Sequence, residues 1–197
     1  MHQAIRECVK TLTEQARAGV LPADDDAVRS LVFGQLQRYE LDTVLYAEDY
    51  ATETLQHVQV VWNDLRSGRI APERVDRRVL VRRPAGVIEV RIDREETQDG
   101  VTRWVWVRPG APRGDDHLSE RMILYALARQ EVGHPPDELA IAFTGTGETV
   151  RVTHSERVLA NHTAKIDRLL EAMHERRWEP SFGPQCDACP FNLICPV

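Results

Sequence analysis

Three runs decide the fold class: Arg77-Arg78-Val79-Leu80-Val81-Arg82-Arg83, then Val87-Ile88-Glu89-Val90-Arg91-Ile92-Asp93-Arg94, then Thr102-Arg103-Trp104-Val105-Trp106-Val107-Arg108. In each, β-branched or aromatic residues alternate with charged ones, the two-residue period of a strand with unlike faces. Pro84-Ala85-Gly86 and Gln98-Asp99-Gly100 separate the runs and supply turn chemistry. The stretch therefore reads as a three-stranded meander.

Upstream the period changes. Ile5, Cys8, Val9 and Leu12 are spaced for one face of a helix over residues 2–17, which ends at the Gly19 to Pro22 breaker. Asp24, Asp25 or Asp26 can cap a second helix carrying Val28, Leu31, Val32, Phe33 and Leu36, and a third is expected over residues 43–65. Downstream, a loop rich in Gly, Pro and Asp leads to a helix over about residues 118–130. Two strands follow at residues 139–143 and 149–153, joined through Gly145-Thr146-Gly147, and then a long helix over residues 155–177. The order implies an α/β domain in one piece over residues 1–197: a helical part at 1–70, an α/β core at 77–177 and a cysteine-bearing tail at 178–197.

The composition is that of a globular chain, with 42% hydrophobic and 28% charged residues. Nothing approaches membrane-spanning length and no signal peptide is recognisable at Met1, so a cytoplasmic protein without a membrane partner is expected. A net charge of -6 argues against a surface that grips nucleic acid everywhere, but leaves room for a local basic groove. Arg74, Arg77, Arg78, Arg82, Arg83, Arg91 and Arg94 crowd one stretch, and Arg103, Arg108, Arg113 and Arg121 follow. They read either as a phosphate track or as a solvated face in a chain whose only lysines are Lys10 and Lys165.

The tail holds Cys186-Asp-Ala-Cys189 and, after five more residues, Cys195, and the one other cysteine is Cys8. A two-residue gap lets both sulfurs face one metal, while Pro190 and Pro196 stiffen the loop. Four thiolates suit an iron–sulfur cluster. A four-thiolate zinc site is the competing reading, although structural zinc more often uses two paired C-x-x-C hairpins. A disulfide is disfavoured in a cytoplasmic chain.

Helices, a meander with Arg91-Ile92-Asp93-Arg94 on its second strand, a helix with Tyr125, two more strands, a long helix and a C-x2-C-x5-C tail form an order that resembles the RecB-like branch of the PD-(D/E)XK nuclease superfamily. It is similar in particular to the AddB-type and CRISPR-associated exonucleases, whose ends are clamped by a 4Fe-4S cluster. The resemblance implies a restriction-endonuclease-like central mixed sheet flanked by helices, with the C-terminal cysteine tail closing the cluster on Cys8, Cys186, Cys189 and Cys195.

Such nucleases place an acid on the second strand, D/E-x-K on the third and often Q-x-x-x-Y on the next helix, so that carboxylates hold the metal that activates water. Carried onto this sequence, the second-strand acid is Asp93. Trp106 then stands where the second carboxylate belongs, Arg108 where the lysine belongs, and Arg121 in place of the glutamine that precedes Tyr125. The histidine expected on an early helix is Gln37 or Arg38. No lysine occurs between Lys10 and Lys165, and arginine cannot exchange a proton near neutral pH.

The resemblance thus implies a nuclease fold with an inactive site, poor magnesium or manganese binding, and a role as a DNA-binding or scaffolding subunit beside a helicase or nuclease. Arg82, Arg83, Arg108 and Arg121 are the expected phosphate-facing residues. A rearranged metal site from Glu89, Asp93 and Glu120, and a protein-interaction module without DNA affinity, are the alternatives.

Overall fold

The computed structural model describes residues 2–98 and 100–177; Cys186, Cys189 and Cys195 lie outside the described residues. Helix α1 (His2–Arg17) buries Ala4, Ile5, Cys8, Val9 and Leu12, which recur at helical spacing along one face. Helix α2 (Asp25–Arg38) begins where the Asp24 carboxylate accepts the Ala27 N–H at 2.9 Å, satisfying one of the donors a helix start leaves unpaired. Helix α3 (Ala47–Arg66) completes a core in which Ile5, Cys8, Leu12, Val28, Val32, Val58 and Trp62 pack together.

The strands are β1 (Ala71–Arg83), β2 (Gly86–Gln98), β3 (Val101–Arg108), β4 (Glu138–Phe143) and β5 (Glu148–Val152). They form one mixed sheet in the order β1-β2-β3-β4-β5, antiparallel throughout except for the parallel β3/β4 pair. A parallel pair needs a crossover, and α4 (Glu120–Glu131) supplies it, with Ser119 accepting the Met122 N–H at its start. Helix α5 (Glu156–His174), capped by Ser155, follows the last strand. No helix among the described residues is long and apolar enough to cross a membrane.

The first strand starts well before the alternating run that announces it. Val75 pairs with Arg94 and Ala71 with Thr97, so the ladder with β2 extends into a segment whose own pattern is mute. Alternation along β3 serves two cores: Trp104 and Trp106 join Val90, Ile92, Met122, Tyr125 and Ile141 on the α4 side, while Val107 packs with the three N-terminal helices.

One topological detail creates the site. The β2–β3 ladder runs from Gln98↔Val101 to Arg94↔Val105 and stops, whereas β1 and β2 stay paired to Arg83↔Gly86. Beyond Asp93, β2 parts from β3 and continues as a two-stranded arm.

Candidate functional site

Asp93 stands at this fork. Its Oδ2 accepts the Val107 backbone N–H at 3.1 Å, replacing a ladder partner that β2 no longer provides. Its Oδ1 accepts from Arg6 of α1 at 3.2 Å and from Arg121 of α4 at 2.5 Å. Its own N–H donates to the Tyr125 hydroxyl at 2.8 Å. One side chain thereby joins α1, β2, β3 and α4.

The fork opens into a cleft of about 630 Å³ lined by Arg6, Lys10, Asp76, Asp93, Arg121 and Tyr125 among others. Lys10 reaches Asp76 at 3.0 Å, and Asp76 takes a left-handed φ of 54° in mid-strand, close to where the cross-strand pairs step past Asp93. Burial pushes the Asp93 carboxyl above the ordinary aspartate value, against the pull of Arg121 and Arg6. Burial, reinforced by Asp93, pushes the Tyr125 phenol up as well, so Tyr125 stays neutral and its oxygen serves as an acceptor. Asp76 is held low by the hydrogen bond from Lys10.

Glu89 and Glu120 line the same cleft but are otherwise engaged. Glu89 is exposed and lies 3.0 Å from Arg91 and 3.7 Å from Arg78, while Glu120 lies 3.7 Å from Lys165. Among the described residues no three His, Cys, Asp or Glu side chains converge as a metal-holding group. Trp106, at the position of the family's second carboxylate, lies beneath the Arg108 and Arg121 guanidiniums at 5.4 and 5.8 Å from the ring centre.

No protein-family model matches the chain, and no curated protein matches it. A solved structure titled "Crystal structure of SSO0001" matches with a TM-score of 0.43 and 14% identity, over 98% of this chain and 94% of that one.

The arginines singled out by the sequence have separate fates. Arg108 pairs with Asp116, at the start of the short 3-10 turn Asp116–Leu118, rather than with Asp93. Arg83 makes a two-pronged contact to Asp167 of α5 at 2.7 and 2.6 Å, the geometry that suits a guanidinium and a carboxylate. Arg121 is spent on Asp93. Arg82 is exposed and has no acidic partner among the described residues. Arg94 is 2% exposed and lies 2.6 Å from Glu96, but its Nε–H is not directed at that oxygen, so the contact is a Coulombic pair rather than a formed hydrogen bond.

Cys8 is fully buried in the helical core, and burial pushes its thiol up to about 12. It occupies the face of α1 that meets α2 and α3, whereas Gln3, Arg6 and Lys10 line the cleft. A metal group bound through Cys8 would lie on the α2/α3 side of α1, and binding would hold the sulfur as thiolate. Sequence reasoning missed Arg6. Its signal was available: Gln3, Arg6 and Lys10 recur at helical spacing opposite the Ile5, Cys8 and Leu12 stripe.

Proposed function

We propose that the chain is a catalytically silent protein of the RecB-like PD-(D/E)XK nuclease fold. It acts as a scaffolding or DNA-binding subunit beside a helicase or nuclease, with a 4Fe-4S cluster on Cys8, Cys186, Cys189 and Cys195. The observation that carries the reading is the state of Asp93: both of its oxygens are engaged, by Arg6, Arg121 and the Val107 N–H. A magnesium ion seeks carboxylate oxygens and keeps most of its waters. Here it would have to displace two guanidiniums that already neutralise the acid. The meander, the parallel β3/β4 pair and the α4 crossover support the fold assignment.

Between the two roles, the pairing of Arg83, Arg108 and Arg121 favours scaffolding. Each would have to leave a carboxylate before it could meet a phosphate, and log affinity for DNA should fall only shallowly with log salt when few cations are free.

The test uses anaerobically prepared full-length protein. Metal analysis should return iron rather than zinc, and incubation with magnesium or manganese should leave single- and double-stranded DNA intact. Cleavage by the native chain that disappears in Asp93→Ala overturns the silent assignment in favour of the Glu89, Asp93 and Glu120 site. Stoichiometric zinc without iron replaces the cluster by the zinc alternative.

A further inference from the structure

The arm formed by β1 and β2 beyond the fork is covered on one face only. Val79, Val81, Val90 and Ile92 are buried in the α4-side core, whereas the alternate residues Arg78, Leu80, Arg82, Val87, Glu89 and Arg91 are all exposed. Leu80 is 49% and Val87 58% exposed. In register, Leu80 faces Glu89, Arg82 faces Val87 and Arg78 faces Arg91. The result is two aliphatic side chains among three arginines, with Glu89 as the one acid of this group. Aliphatic side chains offer bases nothing to stack on, and a central carboxylate repels phosphate, so this face suits an acidic protein surface with apolar side chains of its own.

The chain itself presents such a surface. In the connection from α2 to α3, Leu45 is 88%, Tyr46 58% and Val44 40% exposed. Glu40, Asp42, Glu48 and Asp49 are exposed around them, and no basic residue occurs between Arg38 and His57. Three neighbouring side chains of this size in water are the kind of feature that marks an interaction site.

We infer that the α2–α3 connection of one copy docks on the uncovered face of the β1–β2 arm of another. Leu45 and Tyr46 meet Leu80 and Val87, and the surrounding acids meet Arg78, Arg82 and Arg91. The two patches differ, so a single contact is head-to-tail and builds a ring or an open chain, and a two-fold dimer forms only where two copies exchange the contact reciprocally. The association is independent of the cysteine centre, whereas Glu89 and Arg91 of the docking face also line the Asp93 cleft.

The experiment is sedimentation velocity of the full chain over a concentration series, with two charge-reversed variants: Arg78→Glu with Arg82→Glu on the arm, and Asp42→Lys with Glu48→Lys on the connection. The native chain should associate as concentration rises, and less so in high salt. Each variant alone sets like charges against each other and should weaken association at least about tenfold. Mixed one to one, the variants should regain it, because each then finds a complementary patch on the other. The single variants Leu45→Ser and Arg82→Gln, both at exposed positions, should weaken association in the same sense with unchanged thermal unfolding. A native chain that stays monomeric at all concentrations, variants that associate as the native chain does, or a mixture that fails to recover overturns the inference.

Discussion

Arg94 at the fork and the arginines on the arm come from one arginine-rich stretch of sequence, yet they have little else in common. At the fork, Arg94 is buried against Glu96 and Arg121 closes on Asp93, so their charges are consumed inside the molecule. A few residues away, Arg78, Arg82 and Arg91 stand in water on the uncovered face of a hairpin, where Arg78 and Arg91 share the single exposed carboxylate of Glu89. Density of positive charge along the chain therefore says little about positive potential in space. Burial and the acids that the fold brings opposite decide which charges remain to meet a partner.

The contrast breaks most readily at its buried end. Glu96→Ala should cost about 3–5 kcal/mol, because it strands the buried Arg94 cation. Arg94→Met with Glu96→Leu should cost far less, since an apolar pair of similar volume needs no compensation. Urea midpoints at constant slope measure both. If Glu96→Ala unfolds within about 1 kcal/mol of the native chain, the fork arginines are no more committed than those of the arm.

Asp93 sharpens the comparison through its acceptor role. Asp93→Ala leaves the Val107 N–H without its acceptor and takes the carboxylate from two guanidiniums, and should cost about 2–3 kcal/mol, whereas Asp93→Asn keeps an acceptor oxygen and should cost about 1 kcal/mol. The pH dependence carries a definite sign. Burial makes Asp93 hold its proton more tightly folded than unfolded. Its contribution is therefore full below the ordinary aspartate range and lost as pH rises through the folded value. Stability of the native chain relative to Asp93→Asn should fall between roughly pH 4 and neutrality; a rise over that interval would show that Arg6 and Arg121 outweigh burial.

The smallest effects belong to the arm. Arg83→Ala removes the partly exposed contact to Asp167 of α5 and should cost roughly 1 kcal/mol or less. Arg83 holds the Asp167 carboxyl below its ordinary value, so this contribution is present above the ordinary aspartate range and fades as pH falls through the lowered one. Arg82→Ala, with no partner to lose among the described residues, should stay within about 0.5 kcal/mol of the native chain. Thermal unfolding of the two variants side by side separates an arm arginine tied to a helix from one that is free.

Much of the secondary structure was legible. The first helix occupies the residues its apolar stripe marks, and Asp24, one of three candidate aspartates, caps the second, whereas Ser119 and Ser155, expected within helices, prove to be their caps. The first two strands run longer than their alternation, because pairing of Ala71 to Thr97 and of Val75 to Arg94 stabilises segments without a pattern of their own. The third helix begins at Ala47, later than its sequence period suggests: residues 41–46 carry apolar side chains at helical spacing, but most of these are exposed and no packing holds that turn in a helix. At the site, Asp93, Arg121 and Tyr125 were singled out and do meet. Arg108 was singled out with them and instead faces Asp116, whose approach depends on how a loop folds back.

Local rules act over a few residues, and these determine what the sequence settles by itself: the period of each element, the caps and turns between them, the absence of a lysine between Lys10 and Lys165, and the clustering of three of the four cysteines in the tail. Partnership is set by contacts across the chain. That Arg6 of the first helix and Arg121 of the fourth close on one carboxylate, that β2 parts from β3 at Asp93, and that one face of the resulting arm is left in water are results of tertiary packing alone. The physical reason is that the energy of a charge depends on its solvent exposure and on its distance to other charges, and neither exists until distant segments have been brought together.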